Sequence, residues 1–309
     1  MKKVTVYYGV PAAWVHISGD DAPDFLQSQF SNDIRNSQDR EVTYGLWLNR
    51  KGRVIADSFL LRGDGNAYRA VSYFSRASDL VAKLDENIIA DDVVLANHTE
   101  KAGLISWWGG GAEDLLKAFG WENPAKGTYV ETALGPVFRG RRSREANFDL
   151  VASKDRVPEF VDLLGRQSNS LSICRATEES LFGSRIKAGI PAVPQDIGPD
   201  DLPQEGSLEG DAVSFTKGCY LGQEVMARLQ SMGRRRRGLF MVNCRLEDLP
   251  DNVPCKLFRG KEAVGDLRSV GTFDGGVLGH ALLKLDAIKG ADAFSFTPDG
   301  PQGVTLPCR

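Results

Sequence analysis

Apolar and polar residues alternate along the first third of the chain in the rhythm of antiparallel strands. Val42, Tyr44, Leu46 and Leu48 share one parity, the period of a strand with one buried face. Asn49-Arg50-Lys51-Gly52 supplies a turn, and the run 54–61 pairs back on the first strand. Gly63-Asp64-Gly65 turns the chain again into 68–73, so the three runs predict a meander. Ahead of it, Trp14-Val15-His16-Ile17 reads as a short strand. Gly19-Asp20-Asp21 then offers the cap of a helix through Phe25, Leu26 and Phe30.

The pattern continues with a helix over 78–89, strands near 93–96 and 104–108, and a helix near 113–119. Strands follow at 129–132 and 148–151, then a helix carrying Val157, Phe160, Val161 and Leu164. Strand pairs interrupted by single helices predict an α+β fold with helices laid on antiparallel sheets. The stretch 190–206, rich in proline and glycine, reads as an ordered surface loop. Beyond Gly233 only short strands remain, at 239–242, 253–258, 263–267, 277–285 and 293–296, which predicts a small β-barrel or sandwich.

Composition changes this picture little. An apolar fraction of 42% and a charged fraction of 26% are ordinary for a globular protein, and 309 residues suffice for two domains or more. A net charge of -3 supplies no global attraction to nucleic acid or anionic membrane. The N-terminus has two lysines but no apolar segment before Asp20, so no cleaved signal is expected and the cytoplasm is the expected compartment. Cys174, Cys219, Cys244, Cys255 and Cys308 show neither a disulfide framework nor a CxxC pair, and His16, His98 and His280 lack ligand spacing, so no metal site is expected.

Candidate chemistry concentrates in Lys217-Gly218-Cys219-Tyr220-Leu221-Gly222-Gln223-Glu224, where a cation, a thiol, an amide and a carboxylate surround two glycines. Ser214-Phe215-Thr216 looks like a strand leading in, and Val225 to Arg228 like a helix leading out. Cys219 could be a nucleophile, a redox partner or a small side chain lining a pocket. In a strand Lys217 and Cys219 would share a face, whereas a tight turn at Gly218 would splay them. Two arginine clusters, Arg139/Arg141/Arg142/Arg144 and Arg234 to Arg237, are either solvated turns or local positive patches for polyglutamate, RNA phosphates or an acidic partner. No aromatic residues interleave them, which disfavours direct nucleic-acid binding. Gly109-Gly110-Gly111 lacks a Walker lysine and reads as a strand-to-helix turn.

The stretch 217–224 resembles the signature of the YgfZ-type branch of the aminomethyltransferase (glycine-cleavage T-protein) family. Further segments in the same order are similar: Phe25-Leu26-Gln27-Ser28-Gln29-Phe30-Ser31-Asn32-Asp33, Leu48 to Asp57, Ile186 to Pro191 with Leu202 to Glu205, and Val264 to Ser269. The resemblance implies a three-lobed arrangement around a central folate channel. Two interleaved α+β lobes (1–45 with 168–232, and 46–167) would make a folate-binding region over 1–232, with a β-barrel over 233–309. It also implies tetrahydrofolate as ligand, and a role in maturation or repair of iron–sulfur proteins that touches tRNA modification indirectly. The site residues carried over are Asn32, Lys217, Cys219, Tyr220, Gln223, Glu224 and Arg228. Gln223 and Glu224 suit the donors and acceptors of a pterin and Tyr220 suits its face. Arg228 and Lys217 suit the carboxylates of the folate tail, and Cys219 is the candidate for chemistry.

A true aminomethyltransferase typically has an Asp where this chain has Ala77, although a slip of two residues would install Asp79. It also tends to read Arg-Leu-Glu-Ala-Gly where Arg185-Ile186-Lys187-Ala188-Gly189 stands here. These departures leave a folate-dependent one-carbon transferase as the second expectation and a non-catalytic adaptor or nucleic-acid-associated module using its arginine patches as the third. The partners implied are folate, including polyglutamylated forms, and iron–sulfur assembly or client proteins, with no membrane.

Overall fold

The computed structural model describes residues 1–35, 40–167, 170–290 and 292–307. Two sheets stack face to face, each with helices on its outer side, and a closed barrel follows.

The first sheet is five-stranded and antiparallel, in the order Val42–Leu48, Val54–Arg62, Tyr68–Ser72, Ala13–Ser18, Val94–Asn97. The expected meander forms, with Val42 opposite Leu61 and Phe59 opposite Val71. Helices Ala22–Gln29 and Ala77–Asp85 cover one face and bury Phe25, Leu26, Leu80 and Leu84 against Val15, Ile17 and Leu60. The second helix stops four residues short of its expected end and leaves Ile89 exposed.

The second sheet runs Ser172–Arg175, Lys3–Gly9, Ala102–Trp108, Asn147–Ser153, Gly135–Arg139, Tyr129–Thr132. Helices Ala112–Ala118 and Val157–Gly165 pack on its outer side. Its inner face sets Leu104, Tyr129, Phe138 and Val151 against Trp14, Phe59, Leu61 and Val71 of the first sheet. The N-terminal residues Lys3–Gly9, which periodicity did not mark as a strand, lie inside this sheet, with Val6 opposite Trp107.

These sheets divide the chain differently from the expected lobes. Val42–Leu48 and Val54–Arg62 are one hairpin, so no lobe edge can run at 45/46. The crossing points are instead the few residues between Lys3–Gly9 and Ala13–Ser18, and those between Val94–Asn97 and Ala102–Trp108.

The barrel closes in the order Arg237–Cys244, Gly276–Lys284, Glu262–Phe273, Cys255–Arg259, Ala293–Ser295, Gln302–Thr305. Its interior is filled by Val242, Leu257, Val264, Leu267, Ala281, Leu283 and Phe294. Helix Glu178–Ala188, which periodicity also missed, lies across the barrel. Thr177 accepts a hydrogen bond from the Ser180 amide to start it, and Gly189, at φ 69°, ends it. The helix touches the barrel backbone to backbone at Gly183, where a Cβ would stand 1.8 Å from the Thr272 carbonyl oxygen.

A buried polar cluster fastens this contact. Arg185 ion-pairs with Asp196, both nearly inaccessible to solvent. Asp196 also accepts hydrogen bonds from the Ala192 amide (2.8 Å) and Ser269 Oγ (2.6 Å), and its carboxylate lies 2.9 Å from His280 Nδ1. Arg185 Nη2 donates to Ser269 Oγ at 3.0 Å. Helix, loop and barrel therefore share one charge pair. Burial works against the Asp196 charge, but Arg185 and the His280 hydrogen bond hold its carboxyl below the usual range.

Arg185→Met should cost about 3–5 kcal/mol in urea unfolding, because it strands a buried carboxylate. Since the folded pKa of Asp196 is depressed, its contribution should be complete above the unfolded value near ~3.9 and fade as pH falls through the folded one. Wild-type and variant curves should converge in acid; equal stability at neutral pH would refute the role.

Candidate functional site

Lys217 is 4% exposed, and its ammonium is fully engaged. Nζ donates to the carbonyl oxygens of Gln27 (2.7 Å), Phe30 (2.7 Å) and Asn32 (2.8 Å). These carbonyls belong to the end of helix Ala22–Gln29 and the turn beyond it, where backbone acceptors lack helical partners. Burial draws the Lys217 pKa down to about 8; the Asp33 carboxylate pulls it up and Arg35 pushes it down. The Nζ also lies 5.2 Å from the centre of the Tyr220 ring.

The rest of the signature departs from expectation in its first half. Ser214 to Thr216 form no strand; Ser214 Oγ accepts hydrogen bonds from the Lys217 amide (3.2 Å) and the Thr216 amide (3.4 Å), so the backbone turns. The turn splays the two notable side chains: Lys217 points inward and Cys219 is exposed. Gly222, at φ 88°, approaches the 49–52 turn so closely that a Cβ would stand 2.9 Å from the Asn49 carbonyl oxygen. Helix Gln223–Met232 follows as expected and buries Met226, while Glu224 and Arg228 stay exposed. Gln223 Nε2 reaches back to the Lys217 carbonyl at 3.3 Å. Tyr220 is buried among Leu48, Val54 and Met226, its hydroxyl without a partner among the described residues and its pKa pushed up to about 12 by burial.

A central cavity of about 1020 Å³ opens between the two sheets and the loop 188–211. Of the expected site residues only Asn32 lines it. Its amide donates to the Tyr44 carbonyl (2.9 Å) and the Asp211 carbonyl (3.2 Å), tying helix end, meander and loop together. Lys217, Cys219, Tyr220, Gln223, Glu224 and Arg228 do not line this cavity. Lys217 acts on it at one remove, by holding the Asn32 carbonyl.

Apart from its arginines, the wall is built from residues that sequence patterns did not single out. Arg141 lies 4.1 Å over the Tyr44 ring and ion-pairs with Asp211 at 2.7 Å. Tyr44 donates its hydroxyl to the buried Asp57 at 2.8 Å, and Ser72 and Ser75 donate to the same carboxyl. Burial raises the Asp57 pKa against these hydrogen bonds, and burial followed by Asp57 raises that of Tyr44. Behind Arg141, Arg142 stacks 3.6 Å over Tyr73, whose hydroxyl donates to the buried Asp149. The first arginine cluster is thus no solvated turn: Arg139, Arg141 and Arg144 line the cavity and Arg142 is buried. Tyr44 and Asp57 were visible only as strand residues; the arginine cluster was the usable signal.

Other candidates fall elsewhere. Ala77 is buried and Asp79 is exposed at the start of their helix, and neither lines the cavity. Gly109 to Gly111 form the expected strand-to-helix turn. His16 and His98, distant in sequence, meet with ring centroids 4.6 Å apart; burial, then His98 and Arg69, draw the His16 pKa down to about 4. Cys308 lies outside the described residues. No helix among the described residues is long and apolar enough to cross a membrane.

The model of the GCVT N-terminal domain matches residues 4–217. The chain belongs to that family. The tRNA-modifying protein YgfZ of Colwellia psychrerythraea is 24% identical over 241 residues, 75% of this chain and 69% of that protein. The YgfZ of Aliivibrio fischeri is 24% identical over 293 residues, 89% of this chain and 83% of its own. An aminomethyltransferase of Caldanaerobacter subterraneus subsp. tengcongensis is 23% identical over 232 residues, 72% of this chain and 61% of that enzyme. In fold, the glycine cleavage system aminomethyltransferase T of Bartonella henselae superposes with a TM-score of 0.83 at 16% identity, over 99% of this chain and 85% of that one. The expected resemblance to a YgfZ-type member of the aminomethyltransferase family, with its α+β fold and terminal barrel, agrees with these matches.

Two outcomes follow from the site's geometry. Lys217→Met should leave three carbonyls uncapped and lower unfolding free energy by about 3 kcal/mol; a variant as stable as wild type in urea would exclude a structural Lys217. Iodoacetamide at pH 8 should alkylate exposed Cys219 before half-buried Cys174 and Cys255, and should spare buried Cys244, whose thiol burial pushes up to about 12. Peptide mass mapping over time gives the order, and early labelling of Cys244 would contradict it.

Proposed function

We propose that the central cavity binds tetrahydrofolate and that the protein supports the maturation or repair of iron–sulfur proteins, touching tRNA modification indirectly. The observation that carries the reading is the pairing of ring faces with guanidinium groups in one cavity. Tyr44, half-buried at the wall with Phe59 packed 5.1 Å behind it, offers aromatic surface for a planar heterocycle. Arg144, whose guanidinium Nε donates to the Ala188 carbonyl, offers its terminal nitrogens to tail carboxylates, while Arg139 is held by Pro124, Asn123 and Glu113. Arg141, already paired with Asp211, fixes the Tyr44 wall between them. The residues present therefore suit the ligand's chemistry, and family membership supports the same choice. Relatives called tRNA-modifying proteins lead to the tRNA part of the proposal.

In this reading the signature supports the site from outside. Lys217 holds Asn32 in place, and exposed Cys219, with Glu224 and Arg228 on the following helix, faces a partner such as an iron–sulfur client or assembly protein. A one-carbon transferase is the second reading, favoured by the fold shared with an aminomethyltransferase.

Anaerobic calorimetry with tetrahydrofolate tests the proposal. Saturable binding should weaken about tenfold or more in Arg144→Ala, by loss of a charged hydrogen bond. It should weaken less in Cys219→Ser, which lies off the cavity wall. A folded protein that takes up no folate, or one whose affinity depends on Cys219 and not on Arg144, would overturn the assignment. Turnover of an amine donor with tetrahydrofolate would select the transferase reading.

A further inference from the structure

The five-stranded sheet has two edges, and among the described residues the chain closes one of them itself. At Val42–Leu48 the Val42 amide donates to the Gly127 carbonyl (2.7 Å), and the Leu46 carbonyl accepts from the Ser31 amide (3.0 Å). At Val94–Asn97 the pairing stops. There the His98 amide donates to the Trp14 carbonyl (2.8 Å), which fixes the phase of the antiparallel ladder. Val94, opposite Ser18, and Ala96, opposite His16, therefore turn their backbone inward, and Leu95 and Asn97 turn theirs outward. No backbone hydrogen bond meets that outer side among the described residues.

An open edge invites unwanted pairing, and chains blunt it with a charge, a proline or a bulge in the strand. The run Val94-Leu95-Ala96-Asn97 has no charge or proline, and it pairs with Ala13–Ser18 without a register shift. Apolar side chains stand in solvent beside it. Val94 is 57% exposed, and Ile89, in the loop leading into the strand, is 92% exposed. Such an edge accepts an added strand, whose main chain supplies the hydrogen bonds and whose alternate side chains find apolar surface.

Charge selects the guest. At the Val94 end, Asp92 accepts from the Asp20 amide (3.3 Å) and Asp21 accepts from the Asp92 amide (2.7 Å). With Asp91 and Glu86 of the same loop, this end carries five exposed carboxylates, none in an ion pair among the described residues. A second copy of the chain would bring five more along an edge four residues long, so like charge opposes self-pairing. A cationic strand gains from the same field.

We infer that the open edge Val94–Asn97 docks a basic, extended segment of another protein, which adds to the first sheet with its lysines or arginines at the acidic end. None of these residues lines the central cavity, so the inference stands apart from the folate reading.

The test titrates the peptide Lys-Lys-Lys-Val-Thr-Val-Thr-Val into the nitrogen-15-labelled full chain and follows the backbone amides by NMR. Saturable shifts should centre on Leu95 and Asn97 at peptide concentrations of about 1 mM or below, and should weaken as salt rises. Val94→Lys, which places a like charge on the exposed edge, should weaken binding about tenfold, and Asp91→Lys should also weaken it. A thermal melt verifies that both variants are folded. The control peptide with glutamates in place of the lysines should leave Leu95 and Asn97 unmoved. No shift at these two amides, equal shifts with the acidic peptide, or binding untouched by Val94→Lys would overturn the inference. A dimer of the free protein in sedimentation that Val94→Lys dissociates would overturn it too, and would assign the edge to a second copy.

Discussion

One ammonium group holds the candidate site in shape. The three protons of Lys217 are spent on the carbonyls of Gln27, Phe30 and Asn32, where a helix has run out of its own donors. A buried cation is costly unless each N–H finds an acceptor, and here each does. The same contact joins segments 190 or so residues apart, so the N-terminal helix and the signature form one unit. Asn32 inherits its position from that contact and passes it to the meander through Tyr44 and to the loop through Asp211. The signature thus acts as the keystone of the cavity while forming none of its lining.

This geometry separates two roles that one short motif suggests together. Lys217 faces in and is satisfied; Cys219, two residues on, faces out beyond the turn at Gly218. A thiol so placed meets whatever docks from solvent before it meets a ligand between the sheets. The hydroxyl of Tyr220 is the other tension, buried with no described partner in a cluster where Leu48, Val54 and Met226 pack around it. Such a group carries the cost of lost hydration, which the ring's burial and the nearby Lys217 charge offset.

Sequence periodicity exposed the parts of the fold that bury one face. The meander at 42–72, the helices carrying Phe25 and Leu80 and the barrel strands all have that property, and all appear. It missed strand Lys3–Gly9 beside a charged terminus, strand Gly135–Arg139, whose Gly-Pro start resembles a turn, the short strands Ser172–Arg175 and Gln302–Thr305, and helix Glu178–Ala188, whose buried residues Leu181, Gly183, Arg185, Ile186 and Ala188 spread around much of its girth. The points where the chain crosses between the sheets were not legible, because no local pattern states which sheet a strand joins. Of the candidate site, the motif was legible and the cavity wall was not. Tyr44 and Asp57 look like any strand residues until pairing across the meander brings one hydroxyl to one carboxyl.

The two arginine clusters show why composition alone could not decide their roles. With a net charge of -3, both read as local patches of the same kind. Pairing separates them. In the first cluster Arg141 meets Asp211 and the Tyr44 ring, Arg142 meets Tyr73, and Arg144 donates to the Ala188 carbonyl, so these guanidiniums build a wall. In the second, only Arg237 closes on carboxylates among the described residues, those of Asp201 and Glu205, and it anchors the first barrel strand to the loop. Its neighbours are left beside a cleft whose acids are already engaged. A run of identical residues is thereby split, one member fixing the architecture and the rest leaving an unneutralised field at its edge.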